Sequence, residues 1–209
     1  MNESNVNLSW LGLPAPEAHL EDGPRGNRAT QSGVSPPPIR VHLFRGLKTD
    51  TVGQVTSFNS RPDARKRLTK AGPFESKEAC PMFSAGLFDG PIKNRTPVEF
   101  SLVVGEHDAG TVSVDEAIAQ LEKAGIAAFI FTSASHTPEH PRWRVVAFLR
   151  APCGAEEYRA HLALLNGALG GCLATESGDL SRRWFYGEVA GAAEYRDEVA
   201  KGRMLLDDL

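Results

Sequence analysis

The sequence lacks the features that identify several common classes of protein. Its three cysteines, Cys80, Cys153 and Cys172, form no C-x-x-C pair, which argues against a disulfide framework and a zinc ribbon and favours a reducing compartment. No apolar run approaches the roughly 18 residues of a membrane-spanning helix, and no basic region followed by an apolar one predicts a signal peptide. We therefore expect a cytoplasmic protein with no membrane partner.

Two functional motifs and a strong charge of either sign are also missing. The chain has no G-x-x-x-x-G-K-[ST] loop, which excludes a helicase built on that phosphate-binding motif. It has no His-x-His pair, which argues against a rolling-circle endonuclease. The formal net charge is only -3, so any binding to a polyanion has to come from local cationic patches.

Length and composition predict one folded domain preceded by an arm. Residues 1–38 are rich in Asn, Ser, Gly and Pro and end in Ser35-Pro36-Pro37-Pro38. Such a segment buries too little apolar surface to offset the entropy of ordering it, so we expect a flexible N-terminal arm. The remaining residues, 39–209, are enough for a compact domain with a substantial core.

Apolar periodicity predicts an α+β fold for this domain. The predicted strands are Ile39–Phe44, Val52–Phe58, Phe100–Gly105, Ile126–Thr132, Arg142–Leu149 and Trp184–Tyr186. Predicted helices begin near Pro62, at a capping box on Ser113, and over Ala155–Leu169. We expect the stretch Phe74–Lys93 to be a loop and the charged last twenty residues to form a surface helix. The order indicates an RRM-like (split βαβ), mostly antiparallel sheet with helices packed on one face, plus an N-terminal α/β portion.

An acidic pair closes one predicted strand. Glu106 and Asp108 lie two positions apart, so the period-two geometry of a strand would point both carboxylates to the same face. Two carboxylates this close favour a shared hard cation such as Mg²⁺ or Mn²⁺. The alternative is a solvated strand end.

The segment Thr132–Val146 carries more chemistry than a connector needs. Its sequence is T-S-A-S-H-T-P-E-H-P-R-W-R-V-V. His136, after Ser135, could donate to a phosphate or form a hydrogen bond within a turn. Arg142 and Arg144 point to one face of the next predicted strand. If Arg144 is buried there, it needs a carboxylate or a ligand phosphate as its partner.

Two further groups of charged residues complete the set of candidates. Asp179 precedes Arg182 by three positions, which indicates either a surface salt bridge or a third metal-binding carboxylate beside a phosphate-binding arginine. A basic stretch near the N-terminus is either a solvated helix face or a patch that contacts nucleic-acid phosphates. Its cations are Arg61, Arg65, Lys66, Arg67 and Lys70.

The candidate residues outside the basic stretch fall in three segments, E-H-D, S-H-T-P-E-H-P-R-W-R-V-V and D-L-S-R-R-W-F-Y. Together these segments resemble the archaeo-eukaryotic primase superfamily, in particular the primase-polymerase domains of plasmids, phages and integrated elements. The resemblance covers roughly residues 39–190. It implies that Glu106, Asp108 and Asp179 bind two divalent ions, Mg²⁺ or Mn²⁺, and that these acids and His136 are catalytic. The sequence departs from the family in having Glu106 for an aspartate and Gly105 for an apolar residue. The implied nucleotide-binding residues are Ser135, His136, Arg142, Arg144 and Arg182.

The function implied by this resemblance is that of a DNA-dependent primase-polymerase. It would make or extend primers from NTPs or dNTPs on single-stranded DNA by two-metal phosphoryl transfer, during replication of a plasmid, phage or integrated element. A replicative helicase is a candidate partner. The alternative is a catalytically weak or inactive nucleic-acid-binding module on the same fold, which the glutamate at position 106 and the modest basicity favour.

Overall fold

The structure, a computed structural model, describes residues 36–45, 53–89 and 97–209. The predicted N-terminal arm lies outside these residues except for 36–38, and so does Val52 of one predicted strand. The described chain contains two antiparallel sheets and three α-helices, so the predicted α+β class is confirmed. None of the helices within these ranges has the length and apolar content required to cross a bilayer.

The elements follow one another in an order that is mostly strand. The strands are β1 (Ile39–Phe44), β2 (Gln54–Phe58), β3 (Met82–Ser84), β4 (Gly86–Leu87), β5 (Glu99–His107), β6 (Ala127–Thr132), β7 (Trp143–Cys153), β8 (Trp184–Phe185) and β9 (Asp197–Lys201). The helices are α1 (Arg61–Thr69), α2 (Val114–Lys123) and α3 (Ala155–Ala168).

The strands divide between a four-stranded sheet, in the order β2-β1-β3-β8, and a five-stranded sheet, in the order β4-β5-β7-β6-β9. In the larger sheet, β7 lies between β5 and β6 and is antiparallel to both, as a split βαβ unit requires. The described strands do not form the single RRM-like sheet that the sequence predicts. The predicted final strand joins the smaller sheet instead, because Trp184 pairs with Phe83 of β3.

Short strands account for most of the remaining differences from the sequence predictions. β3 and β4 lie inside the stretch predicted to be a loop, and each has at most three residues, so neither shows a periodic pattern. The predicted C-terminal surface helix is wrong, because Asp197–Lys201 pairs with β6 as an edge strand. Charged side chains are common on edge strands, where they discourage further pairing.

The two helices that pack on the larger sheet form for the reasons that the sequence indicates. The capping box of α2 is present, with Ser113 and Glu116 each accepting from the other's backbone N–H. α2 buries Val114, Ala117 and Leu121. α3 packs against β5, where the Tyr158 ring stacks on Phe100 at a centroid distance of 4.0 Å.

A single carboxylate ties α1 to β9. Asp197, with a side chain that is only 10% exposed, accepts hydrogen bonds from Arg65 Nη2 at 2.8 Å, Thr69 Oγ1 at 2.9 Å and Lys70 Nζ at 2.7 Å. Burial alone would raise the pKa of Asp197, but the hydrogen bonds from Lys70 and Thr69 and the charge of Arg65 outweigh it and lower the pKa. Two of the five predicted nucleic-acid-binding cations are therefore engaged within the protein.

We predict that Asp197→Asn lowers the free energy of unfolding by roughly 2 kcal/mol at pH 7, since it removes charge-assisted hydrogen bonds. A lowered pKa makes this contribution complete above the ordinary value of 3.8 and removes it as the pH falls through the folded-state pKa. The difference between variant and wild type in urea denaturation should therefore shrink below about pH 4. Glu198→Gln, at a more exposed position of the same strand, is the control and should be nearly neutral. A pH-independent deficit for Asp197→Asn would contradict this account.

Candidate active site

The three predicted motifs meet at a buried cluster that we call the Glu106 triad, formed by Glu106, Arg144 and Arg182. Glu106 on β5 lies directly opposite Arg144 on β7 in the sheet register, and its Oε1 accepts from Arg144 Nη2 at 2.7 Å. Arg182 Nη2 donates to the other carboxylate oxygen, Oε2. The side chains of Glu106 and Arg144 are 8% and 7% exposed. Arg144 thus has the carboxylate partner that its burial demands.

The segment that carries Arg182 is fixed to β5 through the backbone on both sides of Glu106. Ala174 N donates to the Glu106 carbonyl at 2.7 Å, and Glu106 N donates to the buried hydroxyl of Ser177 at 3.0 Å. Leu173 packs so closely that a Cβ on Gly105 would lie 2.4 Å from its Cδ1. A side chain at position 105 would displace the end of Leu173, so glycine lets this segment approach β5 closely.

The charges of the triad do not balance. Two guanidiniums face one carboxylate, which leaves one excess positive charge; Glu106 and Arg144 are buried, and the Arg182 side chain is 31% exposed. Burial would raise the pKa of Glu106, but the charge of Arg144 and the hydrogen bond from Arg182 outweigh it and lower the pKa, so the carboxylate is ionised at neutral pH. Among the described residues, no group accepts from the buried Nε atoms of Arg144 and Arg182. Buried cationic donors without partners favour an anionic ligand.

His136 is buried, and its two ring nitrogens face different groups. Its side chain is 4% exposed, and Nδ1 accepts from the backbone N–H of Arg142 at 3.0 Å. Since that nitrogen is an acceptor, the proton of the neutral ring is on Nε2, which lies 3.6 Å from Glu194 Oε2. Nε2 is therefore a donor that could bind a phosphate. Glu194 is not among the predicted site residues, because it lies in the segment predicted to be a surface helix.

A more exposed rim adjoins this histidine. Arg142 Nε lies 3.6 Å from Asp108 Oδ1, and its Nη1 lies 3.5 Å from Ser135 Oγ. β5 ends at His107, so Asp108 lies beyond the strand, with a side chain that is 54% exposed, whereas Glu106 is buried. The strand geometry that would place both acids on one face therefore does not extend to Asp108.

Asp179 has a local role in this structure. Its Oδ1 accepts from Ser181 N at 2.9 Å and Ser181 Oγ at 2.8 Å, and its carbonyl accepts from Arg182 N at 3.0 Å. These bonds form a turn that positions Arg182. Across the described residues, no group of three or more His, Cys, Asp or Glu side chains is arranged to hold a metal ion.

The arrangement therefore fits the implied two-ion site only in part. Both carboxylate oxygens of Glu106 bind guanidiniums, and Asp179 is engaged in its own turn. Asp108 and Asp179 are both exposed, but Asp179 has one carboxylate oxygen engaged by Ser181. A cation at this site would have Asp108 as an accessible protein ligand, with Glu106 engaged by arginines.

His107, between the two acids, is structural. Its Nδ1 donates to the Cys172 carbonyl at 2.8 Å, and its Nε2 accepts from the N–H groups of Thr111 and Val112, each at 3.1 Å. The ring is fully buried and stacks on Trp143 at a centroid distance of 4.9 Å. Both nitrogens are thus occupied, and the ring fixes the turn that follows β5.

The predicted basic patch is divided by the structure. Arg65 and Lys70 bind Asp197, whereas Arg61, Lys66 and Arg67 lie on the exposed side of α1. Lys70 is exposed as well, but it is paired with Asp197, so the three cations without that partner are the better candidates for a polyanion.

No known protein family matches the sequence, and no curated protein does. Among solved structures, the fold is similar to the AEP domain of the cyanophage S-2L primase-polymerase (PrimPol). The similarity covers 81% of this chain and 85% of that one at 12% sequence identity, with a TM-score of 0.46. A functional assignment therefore rests on the residues of the chain itself.

We predict that His107→Ala lowers the free energy of unfolding by about 3 kcal/mol, because it leaves a cavity and three unpaired backbone groups. His140→Ala, at an exposed position, should change it by less than about 0.5 kcal/mol. Chemical denaturation of both variants measures the difference. Equal stabilities would show that His107 is not structural.

Proposed function

We propose that this protein is a DNA-dependent primase-polymerase that binds a nucleoside triphosphate at the Glu106 triad and its rim. It would make or extend primers on single-stranded DNA during replication of a plasmid, phage or integrated element. One observation carries the proposal. Residues separated by 38 and 76 positions from Glu106 meet there, in a buried cluster with an excess positive charge.

Each residue of the site has a distinct task in this proposal. Arg144 and Arg182 bind phosphate oxygens through their planar guanidiniums, which suit such ligands better than an ammonium does. His136 donates its Nε2 proton to the triphosphate, and Arg142 and Ser135 contact it from the rim. These donors are held in place before the ligand arrives, so they stabilise charge that develops during transfer without reorganising.

A divalent cation, Mg²⁺ or Mn²⁺, would neutralise charge on the transferring phosphoryl group. In phosphoryl-transfer sites Mg²⁺ is usually held by one or two carboxylates and the phosphates of the substrate. Asp108 is open for this task. Glu106 could join it only if Arg144 and Arg182 exchange its carboxylate for phosphate oxygens. Asp179 is exposed too, and Ser181 engages only its Oδ1, so Oδ2 could take part.

The template would be bound by exposed cations on α1, Arg61, Lys66 and Arg67, through salt-dependent phosphate contacts. A replicative helicase is proposed as a partner, since the sequence has no phosphate-binding loop of its own.

One observation favours a second function, that of a non-catalytic nucleotide- and DNA-binding module. Both oxygens of Glu106 are occupied by arginines, and the described part of the chain has no cluster of metal ligands. Such a module would bind single-stranded DNA in the presence of a chelator and incorporate no nucleotide.

The two functions are separated by primer synthesis and extension assays with NTPs or dNTPs and Mg²⁺ or Mn²⁺. We predict that Asp108→Ala and His136→Ala each reduce incorporation by about a hundredfold or more. Glu139→Ala, an exposed acid in the same region, is the control and should match wild type. Equal incorporation by all four proteins would refute the proposed site. A wild type that incorporates nothing, yet binds DNA in EDTA, would establish the module.

We also predict that Glu106→Gln tightens binding of ATP in EDTA by about tenfold, equivalent to about 1.4 kcal/mol. The substitution keeps the shape of the side chain and removes the anion that competes with phosphate for Arg144 and Arg182. Isothermal titration calorimetry measures the affinity, and Glu139→Gln is the charge-matched control. If Glu106 acts only as a metal ligand, its neutralisation will leave metal-free affinity unchanged.

A further inference from the structure

A cavity of about 650 Å³ lies beside the smaller sheet and is separate from the Glu106 triad. We call it the β1–β2 pocket; its walls come from those two strands, from α1 and from the segments that follow α1 and β8. Its size is within the range of small-molecule and cofactor sites. The aromatic and cationic side chains that line it are Phe44, Phe74, Tyr186, Arg45 and Arg67.

The chemistry of the lining indicates a nucleotide. Phe74 is the partly exposed ring on which a base can stack, whereas Phe44 and Tyr186 are buried. Two arginines offer charge for a phosphate. Gln54 and Thr56 add polar groups at the edge. No Asp or Glu is among the described residues of the lining, so nothing there repels an anion.

Two arginines lie near the aromatic residues of the pocket. The Arg183 guanidinium lies over the Phe44 ring, 5.4 Å from its centroid. Burial raises the pKa of the Tyr186 hydroxyl, while the positive charge of Arg67 opposes the rise. Arg67 and Tyr186 both line the pocket.

The pocket and the triad share one strand. Tyr186 lines the pocket, and the carbonyl of the preceding Phe185 accepts from Arg144 Nη1 at 3.3 Å. Adjacent residues of the chain therefore connect the pocket to the triad, and a template nucleotide has to lie near an incoming nucleotide.

We propose that the β1–β2 pocket holds a nucleotide of the single-stranded DNA template, with its base on the aromatic wall and its phosphate at Arg67. This inference rests on the proposed function for the identity of the ligand. The shared chemistry also admits a free nucleotide, which the experiment distinguishes.

The test uses neighbouring charge reversals on one helix. Arg67 lines the pocket and Lys66 does not, yet both are exposed on α1. We predict that Arg67→Glu weakens binding of a fluorescent oligo-dT in EDTA at least tenfold more than Lys66→Glu does. Fluorescence anisotropy measures both affinities. Equal losses would overturn the proposal, because long-range electrostatics predicts them for any charge reversal on this helix.

A neutral variant isolates the cavity itself. Ala79 is exposed and lines the pocket, so Ala79→Leu fills space without adding charge or a stacking ring. We predict at least a fivefold loss of oligo-dT affinity, with an unchanged salt dependence and a wild-type melting temperature. Unchanged oligo-dT affinity would overturn the proposal. Loss of ATP binding, with oligo-dT affinity retained, would assign the pocket to a free nucleotide and overturn it too.

Failure of the pocket proposal is distinguishable from failure of the proposed function. If the pocket variants lose oligo-dT binding while wild type incorporates no nucleotide, the pocket stands and the polymerase fails. If wild type extends primers while the pocket variants bind oligo-dT normally, the pocket fails and the polymerase stands.

Discussion

The site depends on one buried ionic interaction, the carboxylate of Glu106 between Arg144 and Arg182. It joins β5, β7 and the segment before β8, which lie far apart in the chain. Burying these charges is costly, and the cost is recovered only while each has its partner; removing one partner of such a pair costs about 3–5 kcal/mol. The Glu106 carboxylate therefore both holds the site together and occupies it, since it accepts from the guanidinium groups that a phosphate would bind.

The two candidate functions differ in one step, the replacement of the Glu106 carboxylate by a phosphate at Arg144 and Arg182. A guanidinium binds carboxylate and phosphate with the same planar geometry, but a triphosphate carries more charge. If phosphate displaces Glu106, the carboxylate becomes a ligand for a cation beside Asp108. If Glu106 stays, the protein holds nucleotides and DNA without transferring anything. The excess positive charge and the unpartnered Nε atoms favour entry of an anion in either case.

Local signals in the sequence predict three of the five described strands of the larger sheet, and the helices that pack on it. The capping box at Ser113 and the apolar runs before it and after α2 suffice for β5, α2, β6 and β7. The short strands escape prediction because pairing alone creates them, as when Met82 meets Phe185. The sequence also indicates that a buried Arg144 needs an anion, but it cannot choose between Glu106 and a ligand. A glycine within an apolar strand, Gly105, is the overlooked signal of a close approach.

The position of β9 has a consequence for folding of the chain during its translation. The strand pairs with β6 and provides Asp197, on which Arg65 and Lys70 of α1 are anchored. β8 likewise completes the smaller sheet that β1 and β3 begin. On the ribosome, α1 and β3 therefore emerge long before Asp197 and β8, which hold them. Such non-local pairings form slowly, so β3 keeps an unpaired edge that chaperones or other chains can capture until β8 has been made.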